Sequence, residues 1–107
     1  MNVISRDAAC LFFNRAKCEK PGAVFRLMFF RHDGTPRDMV CNFSLDTAYP
    51  SAVFAGKVTV WDLVAQAPKT FRMDRLALIA IDDKVWLIEN ERGEIPRVHT
   101  RHLEMMK

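Results

Sequence analysis

Two runs of alternating residues flank an Asp-Gly pair, and no other stretch limits the possible folds of this chain so much. In the first run Phe25, Leu27 and Phe29 alternate with Arg26, Met28 and Phe30; in the second, Met39, Cys41, Phe43 and Leu45 alternate with Asp38, Val40, Asn42 and Ser44. A period of two puts alternate side chains on opposite faces of a strand. Between the runs lies His32-Asp33-Gly34-Thr35, and Asp-Gly between alternating segments predicts a tight hairpin turn. The chain is thereby committed to an antiparallel sheet with one strongly apolar face.

The segments downstream extend that sheet. Val58 to Leu63 resumes the alternation, with Val58, Val60 and Asp62 opposite Thr59, Trp61 and Leu63. The Trp61 face is taken as the buried one, because isolated tryptophans in small barrels fill the interior. Ala65 to Pro68 predicts a turn, Lys69 to Met73 a strand, and Asp74-Arg75 a bend. Leu76 to Ile81 is almost continuously apolar, as expected of a strand covered on both faces. Asp82-Asp83-Lys84 turns the chain so that Val85 to Ile88 pairs back.

Ahead of the sheet, Ser5 reads as a helix N-cap with Asp7 in the first turn, where the helix dipole favours an anion. Ala9, Phe12, Phe13 and Ala16 form one apolar stripe, and Pro21-Gly22 stops the helix. Residues 46–56 lose the alternation and read as a loop with a helical turn. Residues 91–107 fit a helix or an edge strand. The expected layout is a single domain over 1–107, with a helix at 5–20, a barrel at 23–90 and a tail at 91–107. Its class is mainly β, a small five-stranded SH3-like or Sm-like barrel preceded by one α-helix. Periodicity alone does not separate this from an OB-fold.

Composition narrows the function more than the fold. Across 107 residues, 50% are apolar and 27% charged, which fits one folded domain and not a disordered chain. No window approaches the ~18 apolar residues of a membrane helix. The opening MNVISRD lacks a secretory pattern, so a cytoplasmic protein with no membrane partner is expected. Cys10, Cys18 and Cys41 are odd in number and lack metal-binding spacing, so they read as small hydrophobes. The net charge of +3 is modest, but its placement is uneven. Basic blocks at 1–37 and 57–76 alternate with acidic ones at 38–56 and 77–90. A fold that joins the basic blocks would present a face to a polyanion.

The segments Trp61-Asp62-Leu63 and Phe71-Arg72-Met73-Asp74-Arg75-Leu76 resemble the hallmark of WYL-like domains. In that family a Trp-Tyr-Leu strand is followed by a strand ending in Arg-x-Asp-Arg and a hydrophobic residue. Asp62 stands where the family has tyrosine. The hairpin around Asp33-Gly34 also resembles the family's opening strands, so the likeness covers roughly residues 23–90. It is closest to the small stand-alone WYL-like domains of bacteria and their phages. The resemblance implies an Sm-like barrel, and a regulatory role in which barrel arginines bind nucleic acid or nucleotide-like ligands.

Arg72 and Arg75 are the leading ligand-binding candidates, since two planar donor forks three residues apart suit one anion or adjacent phosphates. The competing reading is an internal ion pair with Asp74 or Asp62. Arg26, Arg31 and Arg37 in the first hairpin are further candidates, and Arg26 shares a face with Met28 and Phe30 in a pattern that suits stacked bases. Trp61, Leu63 and Trp86 are expected in the structural core. Tyr49 and Phe54 are loop aromatics, open to stacking or to clipping the loop down. His99 and His102, with Glu104 nearby, have the spacing of a metal pair but lack a third strong ligand, so no metal is expected.

No nucleophile–base arrangement or phosphate-cradling glycine loop is present, and Asp82-Asp83 is explained by its turn. A non-enzymatic binding module without cofactor follows, with nucleic acid or a nucleotide-like anion as ligand. The alternative is a protein-interaction or assembly protein, such as a phage-encoded inhibitor or modulator of a host complex, contacting a partner protein or further copies of itself.

Overall fold

The computed structural model describes residues 2–44, 51–90 and 92–96. Strand β1 (Asn2–Ser5) leads into helix α1 (Arg6–Glu19). Then follow β2 (Phe25–Phe30), β3 (Pro36–Asn42), β4 (Val53–Phe54), β5 (Lys57–Asp62) and β6 (Ala67–Arg72). A 3₁₀ turn at Met73–Arg75 joins β6 to β7 (Leu76–Ile81), and β8 (Lys84–Glu89) completes the set. The protein is mainly β with an N-terminal helix, as expected. One sheet of eight strands replaces the expected five, however, in the order β1-β8-β7-β2-β3-β5-β4, with β6 on the other edge of β5.

Local chemistry accounts for most of these boundaries. The Ser5 hydroxyl accepts the Ala8 N–H at 3.1 Å and caps α1, and Pro21 follows the last turn. At the β2–β3 turn, the Asp33 carboxylate accepts both the hydroxyl (2.6 Å) and the N–H (3.0 Å) of Thr35, while Gly34 takes a φ of +87°. These bonds hold the Asp33 carboxyl below the usual carboxylate range. The 3₁₀ turn falls where Asp74-Arg75 predicts a bend.

Six of the eight strands fall on segments read as strands, one more than the five-stranded barrel holds, and two had no counterpart in the sequence reading. Strand β1 pairs parallel to β8 with Ser5 opposite Glu89, so the first described strand is joined to the last. Strand β4 is two residues long and forms a hairpin with β5, where a loop with a helical turn was expected; residues 46–50 of that loop, Tyr49 among them, lie outside the described residues, as does Leu45 before it.

The sheet curls around its inner face, and α1 plugs one end. Phe13 is fully buried and packs on Phe25 and Phe43 at 5.9 Å and on Phe71 at 6.1 Å between ring centroids. Around it gather Leu27, Met39, Cys41, Val58, Val60, Met73 and Ile79. Strand β7 is buried on both faces, as its apolar run predicts. Leu76 and Ile79 join the main core, whereas Ala77, Leu78 and Ala80 join Met28 and Val85 in a second cluster on the outer face.

Strand β5 corrects the expected core. Its buried residues are Val58, Val60 and Asp62, whereas Trp61 and Leu63 are half-buried on the outer face; Trp86 is also half-buried and belongs to neither cluster. The residue that disguised the inward face is Asp62, only 2% exposed. Its Oδ1 accepts the N–H groups of Val64 and Ala65, both at 3.0 Å, and its Oδ2 lies 3.6 Å from the Arg37 guanidinium. The bonds and the ion pair offset the desolvation cost of holding a carboxylate at a core-facing position.

Candidate anion-binding seam

Residues paired directly across strands share a face, so the registers locate each charge. Arg37 pairs with Phe29 and therefore belongs to the inner face with Met39 and Cys41. Lys69 pairs with Val60 and takes an inner-face position on β6. Yet Lys69 is exposed, because the curled sheet leaves a seam between β6 and the β2–β3 hairpin. A cleft of about 210 Å³ occupies this seam, lined by Phe29, Arg31, Arg37, Met39, Lys69 and Thr70. The Phe29 ring stacks on Phe71 with centroids 5.2 Å apart and planes 12° apart, which gives the cleft an aromatic floor.

Asp62 tethers one of the three cations. By holding Arg37 across the inner face it fixes the guanidinium beside Phe29, and it offsets only one of the three positive charges. Preorganised in this way, an arginine gives up less side-chain entropy when an anion arrives. Below the seam, burial and the Asp62 carboxylate push the Cys41 thiol up to about 12. That thiol stays protonated and unreactive at neutral pH.

The five arginines singled out in the sequence do not form one site. Arg31 and Arg37 meet in the seam. Arg72 is chelated by Asp74, donating Nε to Oδ1 at 3.1 Å and Nη2 to Oδ2 at 2.6 Å, so here the internal ion pair is present. Arg75 donates to His32 Nδ1 at 3.3 Å. Arg26 pairs with Val40 and Ala80 and projects from the opposite face of β2. The sequence reading missed Lys69, although a signal was available: Lys69 alternates in phase with the buried Phe71, and a lysine in the apolar phase of a strand marks either an edge or an opening.

Among the described residues no three His, Cys, Asp or Glu side chains group as metal ligands, and His99, His102 and Glu104 lie outside them. No described helix is long and apolar enough to cross a membrane. Fold and cleft together define a small curled-sheet protein with a cationic seam. Comparison with protein-family models, curated proteins and solved structures gives no match to this chain.

Proposed function

We propose that this protein is a non-enzymatic binding module that takes a nucleic acid or nucleotide-like anion in the seam. The observation that carries the reading is the placement of Arg37 and Lys69 on the inner face of the sheet, with Arg31 beside them and an aromatic floor beneath. Cations over a π-face suit a phosphate with its attached base. The cleft is smaller than the ~300–1,000 Å³ of sites that enclose a whole ligand. It therefore suits one unit of a chain or one end of a small nucleotide.

The WYL-like, Sm-like reading belongs to the same proposal. It is supported by the strand order β7-β2-β3-β5-β6 and by the 3₁₀ turn that precedes β7. The FRMDRL segment spans the end of β6, that turn and the start of β7. In the proposed site, Arg31, Arg37 and Lys69 take the role first sought in Arg72 and Arg75.

The test is fluorescence anisotropy against labelled mononucleotide, single-stranded and duplex probes at two salt concentrations. Binding should weaken steeply with salt, and the double variant Arg31→Gln, Lys69→Gln should lose most of it. Salt-insensitive binding, or none to any probe, sinks the proposal. Assembly is the competing reading, since among the described residues β1 and β4 end the sheet path and each have one unpaired edge. Light scattering separates the two: a stable oligomer indifferent to the arginine and lysine changes favours assembly.

A further inference from the structure

A second cleft meets strand β6 two residues beyond the seam, at Arg72. About 340 Å³ in volume, it opens between the start of α1, the β4–β5 turn and the 3₁₀ turn, and its cations are Arg6, Lys57 and Arg72. Its charge pattern repeats that of the seam. Each cleft is lined by three cations, and in each one arginine is held by a carboxylate: Arg37 by Asp62, buried behind the seam, and Arg72 by Asp74, which lines the second cleft.

Strand β6 connects them. Lys69 and Thr70 line the seam, and Arg72 lines the second cleft. Two residues of strand span about 6.7 Å. The backbone polarity of this edge follows from the register. The Met73 N–H donates to the Gly56 carbonyl at 2.9 Å, so the Val58–Phe71 and Val60–Lys69 pairs are those that exchange hydrogen bonds with β5. Thr70 and Arg72 fall between them and turn their N–H groups to the opposite edge. The short contact between the Thr59 and Thr70 hydroxyls, 2.8 Å, fits such a non-bonded pair. Pro68, next in the same phase, has no N–H to offer, which makes this edge a poor template for another strand.

We infer that the outer edge of β6 is a track for a phosphodiester strand. One phosphate would sit in the seam, and a second would sit in the Arg6–Lys57–Arg72 cleft, with the outward N–H groups of Thr70 and Arg72 between them. This inference rests on the proposed function of the seam and narrows its ligand to a single strand of at least two nucleotides.

The test compares a fluorescein-labelled octathymidylate, the matching octauridylate and a labelled thymidine monophosphate, on the wild-type protein, on Lys57→Gln in the second cleft, and on Arg31→Gln in the seam. Lys57 is exposed, and a thermal melt unchanged from wild type confirms that its variant is folded. Both octamers should bind more tightly than the monophosphate. Lys57→Gln should weaken the octamers severalfold, lower their salt slope by about 0.7 and leave the monophosphate unchanged. Arg31→Gln should weaken all three probes. The two octamers differ in the 2′-hydroxyl and in the thymine methyl, and their ratio reports the joint preference of the track for these groups. Octamers no tighter than the monophosphate, or octamer affinity within about twofold of wild type in Lys57→Gln, overturn the track and leave the seam standing. An Arg31→Gln variant that binds every probe like wild type overturns the seam reading and the track with it.

Discussion

The two ends of the curled sheet treat one inner face in opposite ways. At the closed end α1 inserts Phe13 among Phe25, Phe43 and Phe71, and only apolar atoms meet. At the open end the same rows of inward positions continue as Arg37, Asp62 and Lys69. The Phe29–Phe71 stack is the border between them. A domain of this size gains most from burying whatever its inner face offers. Charges at inward positions cost stability unless they are paired or hydrogen-bonded, and here they stand where the sheet opens.

The comparison breaks most readily at its closed end. Phe13→Ala should cost about 3–5 kcal/mol, read by urea denaturation, because it empties the centre of the aromatic cluster. A loss below about 1 kcal/mol would mean that the helix does not plug the sheet.

Next comes Asp62. Asp62→Ala strips the acceptor from two turn N–H groups and leaves Arg37 without its carboxylate, at an expected cost of about 2–3 kcal/mol. Asp62→Asn keeps an oxygen for the turn and should recover about half of that loss. Equal losses from the two would show that the charge on Asp62, and not its turn bonds, is what matters.

Cys41, paired with Asp62 across β3 and β5, sets a pH signature. Its folded pKa of about 12 lies above that of an unfolded thiol near 8.5. The protein therefore holds this proton longer than its unfolded chain does. The stabilisation is fully present below about pH 8.5 and is lost as pH rises towards 12, at no more than about 1.4 kcal/mol per pH unit. Cys41→Ala should flatten that slope in denaturation curves measured between pH 8 and 11, and native Cys41 should resist iodoacetamide at pH 8.

The smallest effects belong to exposed sites. Ala55 and Gly56 form the two-residue β4–β5 turn with φ of 54° and 74°, a type I′ geometry that alanine tolerates poorly. Ala55→Asn should raise stability by about 0.5–1 kcal/mol. Arg31→Gln with Lys69→Gln should leave stability within about 0.5 kcal/mol, since both side chains sit at the open end. A large loss there would make the seam part of the fold and not of its function.

What the sequence disclosed depended on whether a pattern was local. The β2–β3 hairpin was legible because alternation and the Asp33-Gly34 turn agree, and β7 because an unbroken apolar run has few other meanings. The four residues Asn2–Ser5 carry no period of their own, and their parallel partner lies some eighty residues away, so β1 was invisible. The inward face of β5 was misread for a different reason. Asp62 belongs to the apolar phase, and only its bonds to Val64, Ala65 and Arg37 make a carboxylate tolerable there. Trp61 on the other phase looked the better core residue. At the site, Arg31 and Arg37 were legible as hairpin cations. Arg72 and Arg75 were named without their tethers Asp74 and His32, and Lys69 gained its meaning only once β6 became the lip of an opening.

The pairing of β1 with β8 also sets an order of events during folding. Ser5 both ends β1 and caps α1, yet the strand it belongs to has no partner until Trp86 to Glu89 exist as a strand. Contacts of such sequence separation form late. During synthesis β1 is thus made before every other described strand yet is among the last to be secured, and α1 meets a complete sheet only after β8 has been made. Until β6 brings Phe71, Phe13 has no complete cluster to enter, and the nascent protein exposes the aromatic surface that the finished one hides best.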